Sequence, residues 1–275
     1  MAWFQYRVEF DSEKKEILNA FLISIEADAI LEEEDHFICY KKSPINPEEF
    51  KEQISNLPGV KSEVSYKICE EKNWNAEWEA NYKPIAIDDI CYIRAEFHET
   101  DSSFENEIII RPEMAFGTGH HETTYMMIGA MSSQNFSYCN VLDYGCGTGI
   151  LSVFAAQKGA ESVVGIDIEK PAVENAIVHQ EINSLTQFNM EFHLGGLEVL
   201  TPSKYDIILA NINRRVLLET KDGILKFLKP KGSLIMSGIL LSDEGLIVER
   251  YSDSFDLIEK KQKGEWLCFL WNSKN

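Results

Sequence analysis

Residues 3–10 alternate, with Phe4, Tyr6, Val8 and Phe10 on one side and Gln5, Arg7 and Glu9 on the other, which predicts a half-buried strand. Ser12 is placed to cap a helix whose apolar stripe is Ile17, Leu18, Phe21, Leu22 and Ile25. Short strands at 29–31 and 37–40 flank the acidic turn Glu32-Glu33-Glu34-Asp35 as a hairpin. After Pro44 and Pro47 a second helix turns Phe50, Ile54 and Leu57 inward, and Pro58-Gly59 leads into a strand over 60–68. The order β-α-β-β-α-β predicts a small α+β domain of the split β-α-β, ferredoxin-like kind over 1–68, with both helices on one face.

Residues 69–84 read as a helical linker. Trp74, Trp78 and Tyr82 recur at i, i+4 and i+8, a stripe expected to pack on a neighbouring domain, and Pro84 stops the helix. Strands at 85–87, 90–97 and 107–111 surround a polar loop and open a second domain over 85–275. From residue 125 helix and strand alternate: helices at 125–131, 150–158 and 170–183, strands at 140–143, 162–167, 191–194, 205–210 and 233–237. Such alternation predicts an α/β domain, a doubly wound, seven-stranded Rossmann-like sheet covered on both faces. Segments 255–261 and 265–271, joined by Lys263-Gly264, read as an antiparallel hairpin at its edge.

Composition narrows the classes. The 275 residues hold no apolar run near the roughly 20 residues of a membrane span, and the N-terminus shows no basic segment followed by an apolar one, so the expected location is the cytoplasm. The six cysteines form no C-x-x-C pair, which argues against a zinc site and a disulfide framework. A formal net charge of −19 repels phosphate backbones, so no direct nucleic-acid partner is expected, whereas a basic protein substrate fits. The expected state is a monomer.

Four segments carry candidate chemistry. In Val141-Leu142-Asp143-Tyr144-Gly145-Cys146-Gly147-Thr148-Gly149-Ile150-Leu151 a buried strand ends in a glycine turn and a helix. Its glycines are spaced G-x-G-x-G, not the G-x-G-x-x-G of dinucleotide sites, and with Asp143 at the strand end this is the pattern of S-adenosylmethionine methyltransferases. Gly145 and Gly147 are expected to bring bare N–H groups to the ligand, where methionine's carboxylate would suit. Asp167, 22 residues after Gly145, closes the next strand and is placed to accept both ribose hydroxyls. The apolar strand Tyr205-Asp206-Ile207-Ile208-Leu209-Ala210 ends on Asn211, whose amide oxygen is expected to hold an amine and aim its lone pair for in-line methyl transfer. Asn213 is the weaker candidate, since it can cap the next helix. Finally Met114-Ala115-Phe116-Gly117-Thr118-Gly119-His120-His121-Glu122-Thr123-Thr124 is a loop able to fold over a cofactor, with Thr124 or Thr123 offering a hydroxyl. His120 and His121 are neighbours that point apart, so no metal site is expected.

Together, Ala115-Phe116-Gly117-Thr118-Gly119-His120, Thr123-Thr124, the glycine segment, Ala210-Asn211-Ile212, Ser237-Gly238-Ile239-Leu240 and Glu265-Trp266 resemble, in order, the methyltransferases of large-subunit ribosomal protein eleven, the PrmA family. Trp74, Trp78 and Lys83-Pro84-Ile85 are similar to that family's linker. The resemblance implies methyl transfer from S-adenosylmethionine to lysine and N-terminal amines of that basic ribosomal protein. It implies cofactor contacts at Thr124, Gly145, Asp167 and Asn211, to which Gly147 and Phe116 are added here, and an N-terminal domain that grips the substrate. Two departures are Pro112-Glu113, where the family has Pro-Gly, and Asn213-Arg214-Arg215 after Ala-Asn-Ile. Alternative readings are an amine or amide methyltransferase with another target and a cofactor-binding protein without catalysis.

Overall fold

The computed structural model describes residues 3–9, 15–25, 27–33, 35–57, 64–69, 82–112, 121–201 and 203–274. The chain divides into two compact units, 1–82 and 83–275. The Trp74–Trp78 linker stripe, Ser12, and Phe116 with the loop residues 113–120 lie outside the described residues.

In the first unit, β1 (Trp3–Glu9), β2 (Ala29–Glu32), β3 (His36–Lys41) and β4 (Val64–Cys69) form one antiparallel sheet in the order β2-β3-β1-β4. Register explains the core. Tyr6 stands opposite Cys39 and Tyr66, and Val8 opposite Phe37 and Val64, so even positions of β1 share a face with odd positions of β3. On that face Leu18 and Leu22 of α1 (Lys15–Ser24) and Phe50 and Ile54 of α2 (Pro47–Ser55) bury with Tyr6, Val8, Phe37 and Cys39. The Tyr6 hydroxyl is spared the cost of burial because it donates to the Ile45 carbonyl at 2.9 Å and accepts from the Ile45 N–H at 2.7 Å.

The second unit begins with a three-stranded sheet, β5 (Ile85–Ile87), β6 (Cys91–Ala95) and β7 (Asn106–Ile110), in which β6 and β7 run parallel. Its larger sheet comprises β8 (Asn140–Tyr144), β9 (Ser162–Asp167), β10 (Met190–Leu194), β11 (Tyr205–Asn211), β12 (Leu228–Leu240), β13 (Phe255–Lys263) and β14 (Trp266–Ser273). The order is β10-β9-β8-β11-β12-β14-β13, and β14 inserts antiparallel between β12 and β13. The terminal hairpin therefore joins the sheet through its second strand and leaves its first at the edge. Helices α3 (Glu122–Met131), α4 (Ile150–Gln157), α5 (Lys170–Ile182), α6 (Arg214–Phe227) and α7 (Glu244–Tyr251) connect or cover these strands. Strands β8, β11 and β12 are apolar on both faces, as a sheet covered on both sides requires: Val141, Leu142, Ile208, Leu209, Leu234 and Ile235 are all fully buried.

A candidate active site at the carboxyl ends of the parallel strands

Parallel pairing sets the candidate residues on one line. Asp143 stands opposite Gly165 on β9 and Leu209 on β11; counting two residues on from each puts Gly145, just past β8, level with Asp167 and Asn211, the last residues of β9 and β11. Asn211 pairs with Ser237 on β12 and Asp167 with Leu194 on β10. The carboxyl ends of a doubly wound sheet, where β8 begins both directions of winding, are where such folds hold ligands.

The glycine turn differs from expectation in one respect. Gly145, Gly147 and Gly149 take φ of 74°, 53° and 75°. Their N–H groups are not bare: Gly145 and Cys146 donate to the Ile166 carbonyl at 2.8 and 3.0 Å, Gly147 to Asp167 Oδ2 at 2.9 Å, and Gly149 to the Cys146 carbonyl at 2.8 Å. Close packing of the turn against the end of β9 uses these donors up. What the neighbourhood of the turn offers a ligand is acceptors.

Acceptors are plentiful. Asp143 is 1 % exposed beneath the turn, where Ser152 of α4 donates to its Oδ2 at 2.6 Å while Oδ1 has no partner among the described residues. Burial, against the Ser152 hydrogen bond and with the nearby Asp167 charge, pushes its carboxyl up to about 7. A buried, unpartnered carboxyl oxygen calls for a hydrogen-bond donor, which an ammonium group can supply and a carboxylate cannot. Asp167 is half-buried; its Oδ1 accepts the Glu169 N–H at 2.9 Å, so each oxygen keeps a lone pair for a ribose hydroxyl.

Ile212 holds the third corner and was not legible as a site residue. A Cβ on Gly145 would lie 2.1 Å from Ile212 Cγ2, and one on Gly238 2.2 Å from the Ile212 carbonyl oxygen. The residue after Asn211 is thus wedged between Gly145, in the turn after β8, and Gly238 of β12, which fixes where Asn211 emerges. Gly238, at φ 83° within a bulge of β12, was the available signal. Asn211 itself is half-buried, and its side chain makes no hydrogen bond among the described residues. Asn213 accepts the Val216 N–H at 3.1 Å and caps α6. The two arginines after it are neutralised, Arg214 by Asp243 at 2.5 Å and Arg215 by Glu219 at 2.8 Å.

Thr124 stands in the first turn of α3, 2 % exposed, and α3 packs on β11, β12 and β14. Thr123 is committed elsewhere: its hydroxyl lies 2.8 Å from Nδ1 of His121, which caps the helix, and the His121 ring meets Trp266 edge-on at 4.8 Å. That contact sets Trp266 of the Glu265-Trp266 motif against the residue that caps α3. Among the described residues no group of histidines, cysteines and carboxylates could hold a metal, and no helix is long and apolar enough to cross a membrane.

The family model described as ribosomal protein L11 methyltransferase (PrmA) matches residues 11–274. The chain belongs to the ribosomal protein L11 methyltransferase family. A curated relative of that name from Bacteroides fragilis is 34% identical over 259 residues, 91% of each chain, and one from Porphyromonas gingivalis is 39% identical over 194 residues, 70% of this chain and 67% of that one. The crystal structure of ribosomal protein L11 methylase from Lactobacillus delbrueckii subsp. bulgaricus aligns with a TM-score of 0.64 at 25% identity, over 70% of this chain and 99% of that one. Membership of the L11 methyltransferase family makes this an S-adenosylmethionine-dependent protein methyltransferase with a Rossmann-like α/β domain. The residues present fit that cofactor: Asp167 at the end of β9 keeps lone pairs on both oxygens for hydroxyl donors, and Asp143 Oδ1 beneath the turn is unpartnered among the described residues.

Proposed function

We propose that this chain transfers methyl groups from S-adenosylmethionine to amines of ribosomal protein L11, its lysine side chains and N-terminal amine. The observation that carries the reading is the level shared by Gly145, Asp167 and Asn211 at three adjacent strand ends. When bound, the cofactor supplies a methyl group on a sulfonium, an electrophile that needs only an aligned neutral amine. Asp167 would hold the ribose hydroxyls, and Asp143 Oδ1 would take the ammonium end. The turn of Gly145 and Gly147 is assigned the chain between, and Thr124, buried in the first turn of α3, the same site.

Asn211 is assigned the amine. Its amide oxygen accepts the N–H of the incoming nitrogen and turns the lone pair toward the methyl group, which is where positioning lowers the barrier. Water is assigned the proton that the amine must shed. The formal charge of −19 favours approach of a basic protein, and Arg214 and Arg215, which follow β11, are each paired with a carboxylate.

The first unit is assigned to substrate capture. Its strand order and two packed helices support reading it as a ferredoxin-like domain, and its separateness from the catalytic unit supports a distinct task. The proposed setting is the cytoplasm, with the chain acting as a monomer. The reading is tested by incubating the full chain and S-adenosylmethionine with the whole pool of ribosomal proteins and weighing each product. Methyl increments on L11 are expected. Increments confined to another protein would assign a different target, and none at all would leave a binding protein.

A further inference from the structure

Strand β7 ends two residues before the segment 113–120, and its free edge is not left to water. The groups on that edge are met by side chains of two helices of the larger sheet. Gln157 Nε2, at the end of α4, donates to the Glu107 carbonyl at 2.6 Å. Asn183, just past α5, accepts the Ile109 N–H at 2.8 Å and donates to the Ile109 carbonyl at 2.7 Å. His179 of α5 accepts the Arg111 N–H on Nε2 at 2.9 Å. Three side chains thus pair with the strand as a neighbouring strand would.

His179 does more than cover an edge. It is 2 % exposed, and its Nδ1 lies 2.7 Å from the carbonyl of Thr148, inside the glycine turn. A backbone N–H can only donate, so Nε2 must carry the lone pair; the proton is then on Nδ1 and donates to Thr148. The strand edge fixes the tautomer, and the tautomer fixes the turn.

We infer that His179 is a positioning residue of the cofactor site, holding the Thr148 carbonyl so that the glycine turn keeps the shape that receives the ligand. The inference rests on the reading of that turn as the cofactor cradle. It joins the turn to the end of β7 through one ring, although these segments are far apart in sequence. Gly149, whose N–H bonds Cys146, and the start of α4 follow directly from the held carbonyl.

Two near-isosteres separate the arms of the ring. His179→Asn sets an amide N–H near the Nδ1 position and retains the donor to Thr148 but not the acceptor for Arg111. His179→Gln reaches the Nε2 position and does the reverse. In calorimetric titration of the full-length variants with S-adenosylmethionine, Gln is expected to weaken binding about tenfold and Asn less than about threefold, with similar losses in melting temperature. Imidazole nitrogen spectra of the unsubstituted protein are expected to show His179 neutral and protonated on Nδ1. Equal affinities for the two variants, each following its loss of stability, would overturn the inference, as would an Nε2-protonated or doubly protonated ring. Asp167→Ala is titrated alongside: unchanged affinity there overturns the cradle reading, whereas weakened binding there with an unaffected His179→Gln overturns only the role of His179.

Discussion

Asp167→Ala is expected to weaken S-adenosylmethionine binding by about 100-fold in isothermal titration. The carboxylate has two tasks, and the substitution removes both. Its lone pairs are assigned to the two ribose hydroxyls, and hydrogen bonds to a charged acceptor are worth about 1.5–3 kcal/mol each. Two of them amount to about 3 kcal/mol at the least, and about 1.4 kcal/mol corresponds to tenfold in affinity. In the same structure Oδ2 restrains the Gly147 N–H and Oδ1 the Glu169 N–H, so Ala also releases the turn on both sides. Asp167→Asn keeps one acceptor oxygen and should fall between wild type and Ala. Affinity within about threefold of wild type in the Ala variant would remove Asp167 from the site.

Gly238→Ala is expected to cost more stability than any neighbouring small substitution. At φ 83° an L-residue is strained by roughly 1–2 kcal/mol. The added Cβ would also sit 2.2 Å from the Ile212 carbonyl oxygen and 2.8 Å from its carbon, and a backbone atom cannot rotate away as a side chain does. Overpacking of this kind adds about 1–3 kcal/mol, so urea unfolding should show a loss of about 3 kcal/mol. The strand end carrying Asn211 moves with Ile212, so methyl transfer should fall with it. Gly245→Ala in α7 is the control. Its Cβ meets nothing within 4 Å, and a helical alanine should leave stability unchanged or raise it by up to about 1 kcal/mol. A Gly238 variant that unfolds at the wild-type urea midpoint would show that the Ile212 wedge is not needed.

The alternation of elements and the turn after Leu142 were legible because both are local. Period-2 and period-3.6 patterns placed α1, α2, β8, β9 and β11 close to where they fold, and Asp167 and Asn211 fell at strand ends as read. What the sequence could not reveal lies between segments far apart in the chain. The hairpin read at 255–271 says nothing of β14 pairing with β12, nor does the strand at 107–111 announce a parallel partner in β6. Glycine spacing correctly signalled a tight turn, but whether its N–H groups face a ligand or the end of β9 is a tertiary matter, and they face β9. Ile212 looked like an ordinary apolar residue until Gly145 and Gly238 were placed around it. His179 looked like one helical position among many, and only the approach of Arg111 and Thr148 gives it a tautomer and a task.

Two places in the catalytic unit compete as the cofactor site, and they lie at opposite ends of the same strands. One is the line of Gly145, Asp167 and Asn211 at the carboxyl ends. The other is a cavity of about 350 Å³ lined by Asn140, Ser162 and Tyr205 at the amino ends, together with Glu191, His193 and Lys204. The orphaned Asp143 oxygen and the acceptors of Asp167 are at the first. A crystal structure of the full chain with S-adenosylhomocysteine decides between them. The account predicts ribose hydroxyls on Asp167, the amino group toward Asp143, and the sulfur facing Asn211. Product seated against Asn140, Ser162 and Tyr205, with the glycine turn untouched, would contradict it.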